Sequence, residues 1–556
     1  MTFSSLKRAE YLEEMEKQTF DLLVIGGGIT GAGIALDAQA RGLKTALIEM
    51  QDFAAGTSSR STKLVHGGLR YLKQFEVKLV AEVGKERAIV YENAPHVTTP
   101  VWMMLPIYKN GTFGKFSTSI GLKVYDFLAG VKKSERRSML DGRSTIAREP
   151  LLLTDGLKGS GVYVEYRTDD ARLTLEVLKE AVNRGVLATN YTKAESFIYE
   201  NEKLVGVEAI DQITGEKKTI YAKKIVNAAG PWVDSLREKD QSKKGKYLHL
   251  TKGVHLVIDS SRFPLKEAVY FDTPFNDGRM MFAIPRDGKT YVGTTDTNYK
   301  GSIKHPRMTI EDRDYILNAI NYMFPTLKLQ VNDVESSWVG LRPLIHEEGK
   351  DPSEISRKDE IFLSNSGLIT IAGGKLTGYR KMAESVVDLV LQQLSGNKKI
   401  PRTTTDRLTL SGGYVGGSAG FSQFVKEKVN EGISVGLTRA EVEKLVKRYG
   451  SNSDKLFDII KGDKDEATKY GLSMEVYASL KYGIEHEMVT TLTDYFIRRT
   501  GALFFDIHWV KKWKAAVCRY MEDVLSWSNE EKLHQQEELE RQLHDAVNPL
   551  EVKEEI

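Results

Sequence analysis

The period of apolar and polar positions changes along this chain, and each change marks an element. Asp21-Leu-Leu-Val-Ile25 is a short continuous apolar run, the pattern of a strand covered on both faces. A glycine cluster follows, and from Ile29 to Arg41 the apolar residues recur at helical spacing until Gly42 stops them. Lys44-Thr-Ala-Leu-Ile48 is a second buried run, closed by Glu49. Strand, helix and strand in this order make a β-α-β unit of a parallel sheet. The style returns later, with a helix over Asp170–Gly185, a strand Lys224–Ala228 running into Ala229-Gly-Pro231, and a strand Leu368–Ile371 meeting Gly373-Gly374. A helix over Thr377–Leu394 follows. Segments 100–165 and 236–345 alternate instead, as in Met280–Ile284 and Thr290–Gly293.

The pattern predicts an α/β domain over 20–398, assembled from 20–99, 166–235 and 346–398. Segments 100–165 and 236–345 are inserted into it as a β-rich substrate-binding part, and 1–19 is a helical extension. Around Ser395–Ser418 the composition turns to Gly, Ser, Thr and Lys, which reads as a linker. Beyond it the chain is helical, so 399–556 is expected as a separate helical domain. Thr438-Arg-Ala-Glu441 is a capping box, opening a helix that ends at Gly450. Glu530–Ile556 is dominated by Glu and Gln and reads as a solvated, partly frayed helix.

Composition narrows the classes. At 556 residues the chain exceeds one core, and about 2–4 domains are expected. A formal net charge of +3 is small for this length and argues against a nucleic-acid binder. Cys518 is the single cysteine, so the chain forms no internal disulfide and holds no Cys cluster, which suits a reducing compartment. The ten histidines lack ligand spacing, so no metal site is expected. The first residues have no apolar core of a secretory signal, and no run of about 18 apolar residues appears; a cytoplasmic protein is the expectation.

Gly26-Gly-Gly28-Ile-Thr-Gly31 is a G-x-G-x-x-G that follows a strand and opens a helix. Gly26 permits the tight turn, Gly28 lets backbone N–H groups approach a pyrophosphate, and Gly31 lets helix and strand pack closely. The helix N-terminus turns its positive end toward the phosphates. Glu49, eighteen residues past Gly31, is placed to accept from ribose hydroxyls. A glycine-rich turn that binds nothing is the competing reading; the strand–helix–strand setting favours a dinucleotide. This unit does not choose between NAD and FAD.

Five further runs bear on that choice. Within Thr57-Ser58-Ser59-Arg-Ser61-Thr-Lys63-Leu-Val-His66-Gly67-Gly-Leu-Arg70-Tyr71, the run Ser61–Tyr71 resembles the flavin-proximal motif of FAD-dependent glycerol-3-phosphate dehydrogenases, and Gly373-Gly374-Lys375-Leu376-Thr377-Gly-Tyr-Arg380 resembles the same family's C-terminal flavin motif. Asn227-Ala-Ala-Gly230-Pro-Trp232 resembles the strand end that meets FAD in the wider D-amino-acid oxidase superfamily. Val339-Gly-Leu-Arg342-Pro-Leu344, with Gly293-Thr-Thr-Asp296, completes the set. These matches keep the family's order over about 20–395, and Thr491-Leu-Thr-Asp-Tyr-Phe-Ile-Arg-Arg499 extends the likeness into the helical part. The resemblance implies an FAD-binding Rossmann-like domain with an inserted β-rich substrate domain and a C-terminal α-helical domain. It implies oxidation of sn-glycerol 3-phosphate to dihydroxyacetone phosphate, with electrons passed to a respiratory quinone. The implied cofactor contacts are Gly26, Gly28, Gly31, Glu49, Thr57, Ser58, Ser59, Ser61, Lys63, His66, Gly67, Gly230, Trp232, Gly373, Gly374, Lys375, Leu376 and Thr377.

A phosphate ester needs fixed cations in a buried site, with Arg suited to bidentate clamping and Lys to a point contact. By resemblance these are Arg70, Arg342, Arg357 and Lys375, with Tyr71 beside them. Arg70 and Arg342 sit in Gly/Leu/Pro-rich runs unlike an exposed face, whereas Arg357 sits in surface-like sequence. Removal of the C2 hydroxyl proton needs a base, and His66, His255 and Lys375 all remain open. A strand histidine such as His255 is also read as a structural residue.

Two rival readings differ in class. An oxidase would pass electrons to oxygen and usually carries an extra insertion, which the short distance from Leu344 to Gly373 does not leave room for. A silent dinucleotide-binding module would lack the cations. A quinone acceptor implies peripheral contact with the inner face of the cell membrane. Gly114–Lys133 is the candidate contact, with Phe116, Ile120, Val124, Phe127 and Val131 at helical spacing beside Lys115, Lys123, Lys132 and Lys133. The same stretch also reads as a helix packed on the protein's own core. A homodimer is left open.

Overall fold

The computed structural model describes residues 2–66, 77–109, 111, 114, 118, 121–123, 135–349, 358–396 and 399–551; side chains of 77–80 are not included. Among them, two sheets border one large cavity, and a helical domain follows them in the chain. Thr19–Ile25 is the centre of the first sheet because its apolar run buries both faces. It pairs in parallel with Thr45–Ile48 on one side and Lys217–Asn227 on the other, Ile25 lying opposite Ile48 and Asn227. Ile369–Ala372 joins beside Lys217–Asn227, and Leu187–Thr189 beside Thr45–Ile48. Strands separated by hundreds of residues thus end together at the glycine turns. The helices Ile29–Ala40, Asp170–Asn183 and Tyr379–Ser395 pack on this sheet, their apolar faces closing the main core.

The second sheet is mainly antiparallel. Its long members are Thr98–Tyr108, Leu157–Thr168, Lys246–Asp259 and Val334–Glu347, the last two paired along most of their length. Leu64–Val65 pairs with Leu157–Thr168, so the run from Thr57 onward crosses from the first sheet to the edge of the second.

Two expectations need correction. The stretch after Ser395 is not a free linker: Arg41 Nε donates to Pro401 O at 2.9 Å, and Asn93 Nδ2 to Thr405 O at 3.2 Å. Small polar residues suit it to this close backbone docking. The acidic tail is helical but not solvated on every face. Asn529–Val547 is one helix with a Ser528/Glu531 capping box, and Leu539, Leu543 and Ala546 are buried. Those three fall on one face, a stripe that the Glu- and Gln-rich composition conceals.

No helix among the described residues is long and apolar enough to cross a membrane. Most of Gly114–Lys133, with Arg70, Tyr71, Gly67 and Arg357, lies outside the described residues.

Candidate active site

The first sheet ends in a turn that only glycine fits. Gly26 has φ +119°, and a side chain on it would fall 2.5 Å from Ala228 O. A Cβ on Gly31 would overlap the Gly26 carbonyl oxygen, so helix and strand approach as closely as backbone allows. Gly28 caps the helix without a side chain, and Ile29 N donates to Ser58 Oγ at 3.0 Å.

This turn opens onto a cavity of about 860 Å³, inside the about 300–1,000 Å³ range of small-molecule and cofactor sites. Gly26, Gly28, Glu49, Thr57, Ser58, Ser61, His66, Gly230, Trp232, Gly373, Gly374, Lys375, Leu376 and Thr377 line it, as do His255 and Arg342 from the second sheet. Gly31, Ser59 and Lys63 do not line it. Gly31 is spent on helix–strand packing. Ser59 is buried behind the wall. Lys63 turns inward, its Nζ at 2.6 Å from Asp170 Oδ1 and 2.9 Å from Ser59 O, over the rings of Trp338 and Phe504.

Several residues on the wall escaped the sequence reading. Arg60, Arg279 and Lys304 bring further cations, as do Lys193 and Lys239. Arg60 lies inside the serine-rich run and was legible there; Arg279 and Lys304 sit in ordinary polar stretches with no local signal. Burial, with Arg498 and Arg541 nearby, pushes Arg60 down to about 10.

Each charged group has a defined role in the geometry. Glu49 accepts from Gly27 N at 2.6 Å and Gln51 N at 2.8 Å. Its burial outweighs these bonds and raises its carboxyl above the usual range. Arg342 meets Asp296 Oδ1 at 3.2 Å through Nη1, and through Nη2 donates to Thr294 Oγ1 at 3.0 Å and Thr295 O at 3.1 Å. Thr377 Oγ1 links to His66, accepting from its N at 3.1 Å and donating to its O at 3.2 Å, so the two flavin-type runs meet. Burial, then Lys375 and Arg87, lower His66 to about 3. Burial, Arg342 and Lys63 hold His255 well below its ordinary value. Its Nε2 lies 3.1 Å from Thr62 Oγ1, and its ring stacks on Trp338 at 4.7 Å and 9°. Both imidazoles are therefore neutral at neutral pH, each beside a cation.

The site can cradle a dinucleotide, hold a phosphate and accept a proton. Residues 21–380 match the FAD dependent oxidoreductase family, and 403–532 the C-terminal domain of alpha-glycerophosphate oxidase. The chain is 64% identical over 551 residues to the aerobic glycerol-3-phosphate dehydrogenase of Bacillus subtilis (strain 168), covering 99% of both. It is 56% identical to that of Staphylococcus aureus (strain USA300), covering 98% of both. The glycerol-3-phosphate dehydrogenase from Bacillus halodurans, solved complexed with FAD, superposes with a TM-score of 0.87 at 56% identity over 99% of both chains. The L-alpha-glycerophosphate oxidase of Mycoplasma pneumoniae, at 17% identity and TM-score 0.55 over 70% of this chain and 97% of its own, shares the fold. With a glycine cradle, a cationic wall and matches that run the length of the chain, this protein belongs to the FAD-dependent oxidoreductases, among the aerobic glycerol-3-phosphate dehydrogenases.

Proposed function

We propose that the cavity holds FAD and that the chain oxidises sn-glycerol 3-phosphate to dihydroxyacetone phosphate, sending the electrons to a respiratory quinone. One observation carries the reading: a single cavity joins the glycine turn to a wall bearing Arg342, Lys375 and two neutral histidines. FAD, when bound, supplies the acceptor for the C2 hydride.

The chain's own residues do the binding, the orienting and the proton work. The glycine turn and the start of Ile29–Ala40 hold the pyrophosphate, and Glu49 takes ribose hydroxyls. Arg342 clamps the substrate phosphate, with Asp296 and Thr294 fixing its guanidinium. Lys375, Arg60, Arg279 and Lys304 add positive potential, and Arg70, Tyr71 and Arg357 belong to the same proposal from their sequence. His66 accepts the C2 hydroxyl proton. It is half-buried on the wall, whereas His255 is only 2% exposed and has Nε2 beside Thr62. Burial first, and then Lys375, depress His66; a phosphate dianion beside Lys375 offsets the second of these and makes His66 a stronger base than it is without substrate.

A quinone acceptor entails contact with a membrane surface, for which Gly114–Lys133 is the proposed segment. The match of 403–532 to an oxidase domain supports the alternative, oxygen as acceptor. One experiment tests both. The purified protein is reduced anaerobically with glycerol 3-phosphate, followed by flavin absorbance, and then offered a soluble quinone or oxygen. Bleaching followed by fast reoxidation by quinone is the expected result. No bleaching sinks the activity, and fast stoichiometric peroxide formation replaces quinone with oxygen.

A further inference from the structure

The helical domain reaches the glycine turn through a buried ion cluster. Asp494–Arg499, the end of the run Thr491–Arg499, coils as a π-helix, a wide turn found often at functional sites. It presents Arg498 and Arg499, both buried. Arg499 meets Asp52 through two bonds, Nη1 to Oδ2 at 2.6 Å and Nη2 to Oδ1 at 2.9 Å. Arg498 Nε reaches the same carboxylate, and its Nη2 donates to Asp494 Oδ1 at 2.6 Å. Asn190 Nδ2 adds a further donor to Asp52 at 3.2 Å. Burial opposes ionisation of Asp52, but the two guanidinium groups outweigh it and hold the carboxyl below its usual range.

The importance of Asp52 lies in what its neighbours hold. Glu49 takes the N–H of Gly27 at 2.6 Å, and Ala54 N donates to the Gly27 carbonyl at 3.0 Å. Phe53 fills the space where a Gly27 side chain would fall, 2.6 Å from its Cδ1. The turn 49–54 therefore grips Gly27 by its N–H, its C=O and its open face. Arg499, 447 residues away in sequence, anchors the middle of that turn. Without Arg499 the buried Asp52 carboxylate keeps only Arg498 and Asn190, and the turn has reason to open toward water.

We infer that Arg499 and Arg498 are positioning residues that lock the dinucleotide cradle through Asp52, so that cofactor retention depends on the helical domain. The inference rests on the reading of this cavity as the FAD site. An ordinary structural ion pair would stabilise the fold and leave cofactor affinity unchanged. The same interface supplies a contrast in Glu176, which is equally buried and pairs with Arg172 at 3.3 Å and Lys179 at 2.9 Å.

The test uses full-length protein: the parent, Arg499→Gln, Arg499→Lys, Asp52→Asn and Glu176→Gln. Apoprotein is titrated with FAD for Kd, melting is followed with and without FAD, and kcat and KM for glycerol 3-phosphate are measured at saturating FAD. Arg499→Gln and Asp52→Asn are expected to raise the FAD Kd about tenfold or more, with Arg499→Lys in between, as for residues that orient a binding group. KM at saturating FAD stays near the parent's. Glu176→Gln lowers the melting temperature of both forms and leaves the FAD Kd alone. FAD affinity within about twofold of the parent in all the Arg499 and Asp52 variants overturns the inference, since every 1.4 kcal/mol is tenfold. Should Arg499→Gln fail to fold, Arg499→Lys keeps the charge without the fork and carries the same test. A parent that takes up no FAD overturns the cofactor reading itself, and the inference with it.

Discussion

Replacing Arg342 by Ala separates phosphate binding from cofactor binding. In the parent, the Arg342 charge is paired with Asp296 at 3.2 Å, with side chains 29% and 30% exposed. The substitution removes a cation and leaves the Asp296 carboxylate without the Arg342 charge, so a phosphate dianion meets a less favourable wall where it met a clamp. Two unit charges about 4 Å apart interact by about 4 kcal/mol at an effective dielectric of about 20. Partial exposure screens this, which leaves about 2–3 kcal/mol, toward the lower end of what removing one partner of a bound charge pair costs. The expected fall in kcat/KM for glycerol 3-phosphate is about 30- to 150-fold. Flavin content stays at the parent's level. Adding Asp296→Asn to Arg342→Ala removes a negative charge from the phosphate's surroundings and recovers part of the loss, a coupling that a double-mutant cycle reads directly. Steady-state kinetics with glycerol 3-phosphate and with unphosphorylated glycerol are the assay. A loss smaller than about threefold, or an equal loss with glycerol, refutes the phosphate-clamp argument.

Other outcomes follow from the same geometry. Gly31→Ala places a methyl group on the Gly26 carbonyl, so the purified protein is expected to lose flavin; stoichiometric flavin at the parental melting temperature contradicts the close-packing argument. Lys63→Met leaves Asp170 buried without its cation and is expected to cost about 3–5 kcal/mol in denaturant unfolding, with part regained in the Lys63→Met/Asp170→Asn double variant. A Lys63→Met protein of parental stability but weak FAD affinity would return Lys63 to the cofactor wall. His66 and His255 are depressed in the folded state, so below their unfolded value of about 6.5 the unfolded chain binds protons that the folded chain refuses. Stability therefore falls as pH drops from about 6.5 toward about 3, and these groups add no slope above it. His66→Gln should flatten that slope in denaturant midpoints taken between about pH 6.5 and 4; an unchanged slope shows that His66 is not held neutral.

The sequence by itself determined the elements whose signal is local. The apolar run Asp21–Ile25, the three glycines and the helical period after Ile29 are set by neighbours within about ten residues, because burial on both faces and a side-chain-free turn leave few alternatives. The same is true of the Thr438–Glu441 capping box, which opens the helix Arg439–Tyr449. The tertiary structure decided what depends on partners far along the chain. Lys63 belongs to a flavin-type run, yet its ammonium is drawn inward by Asp170, a carboxylate more than a hundred residues away. Arg60, beside it, faces the cavity. Arg279 and Lys304 carry no pattern at all; they become site residues because the second sheet brings them to the wall. Asp52 carries no local signal in the sequence, and only the arrival of Arg498 and Arg499 from the helical domain makes it a buried anchor. Periodicity and turn chemistry are short-range, whereas the pairing of charges in a low-dielectric interior is settled by whichever groups the folded chain brings within a few ångströms.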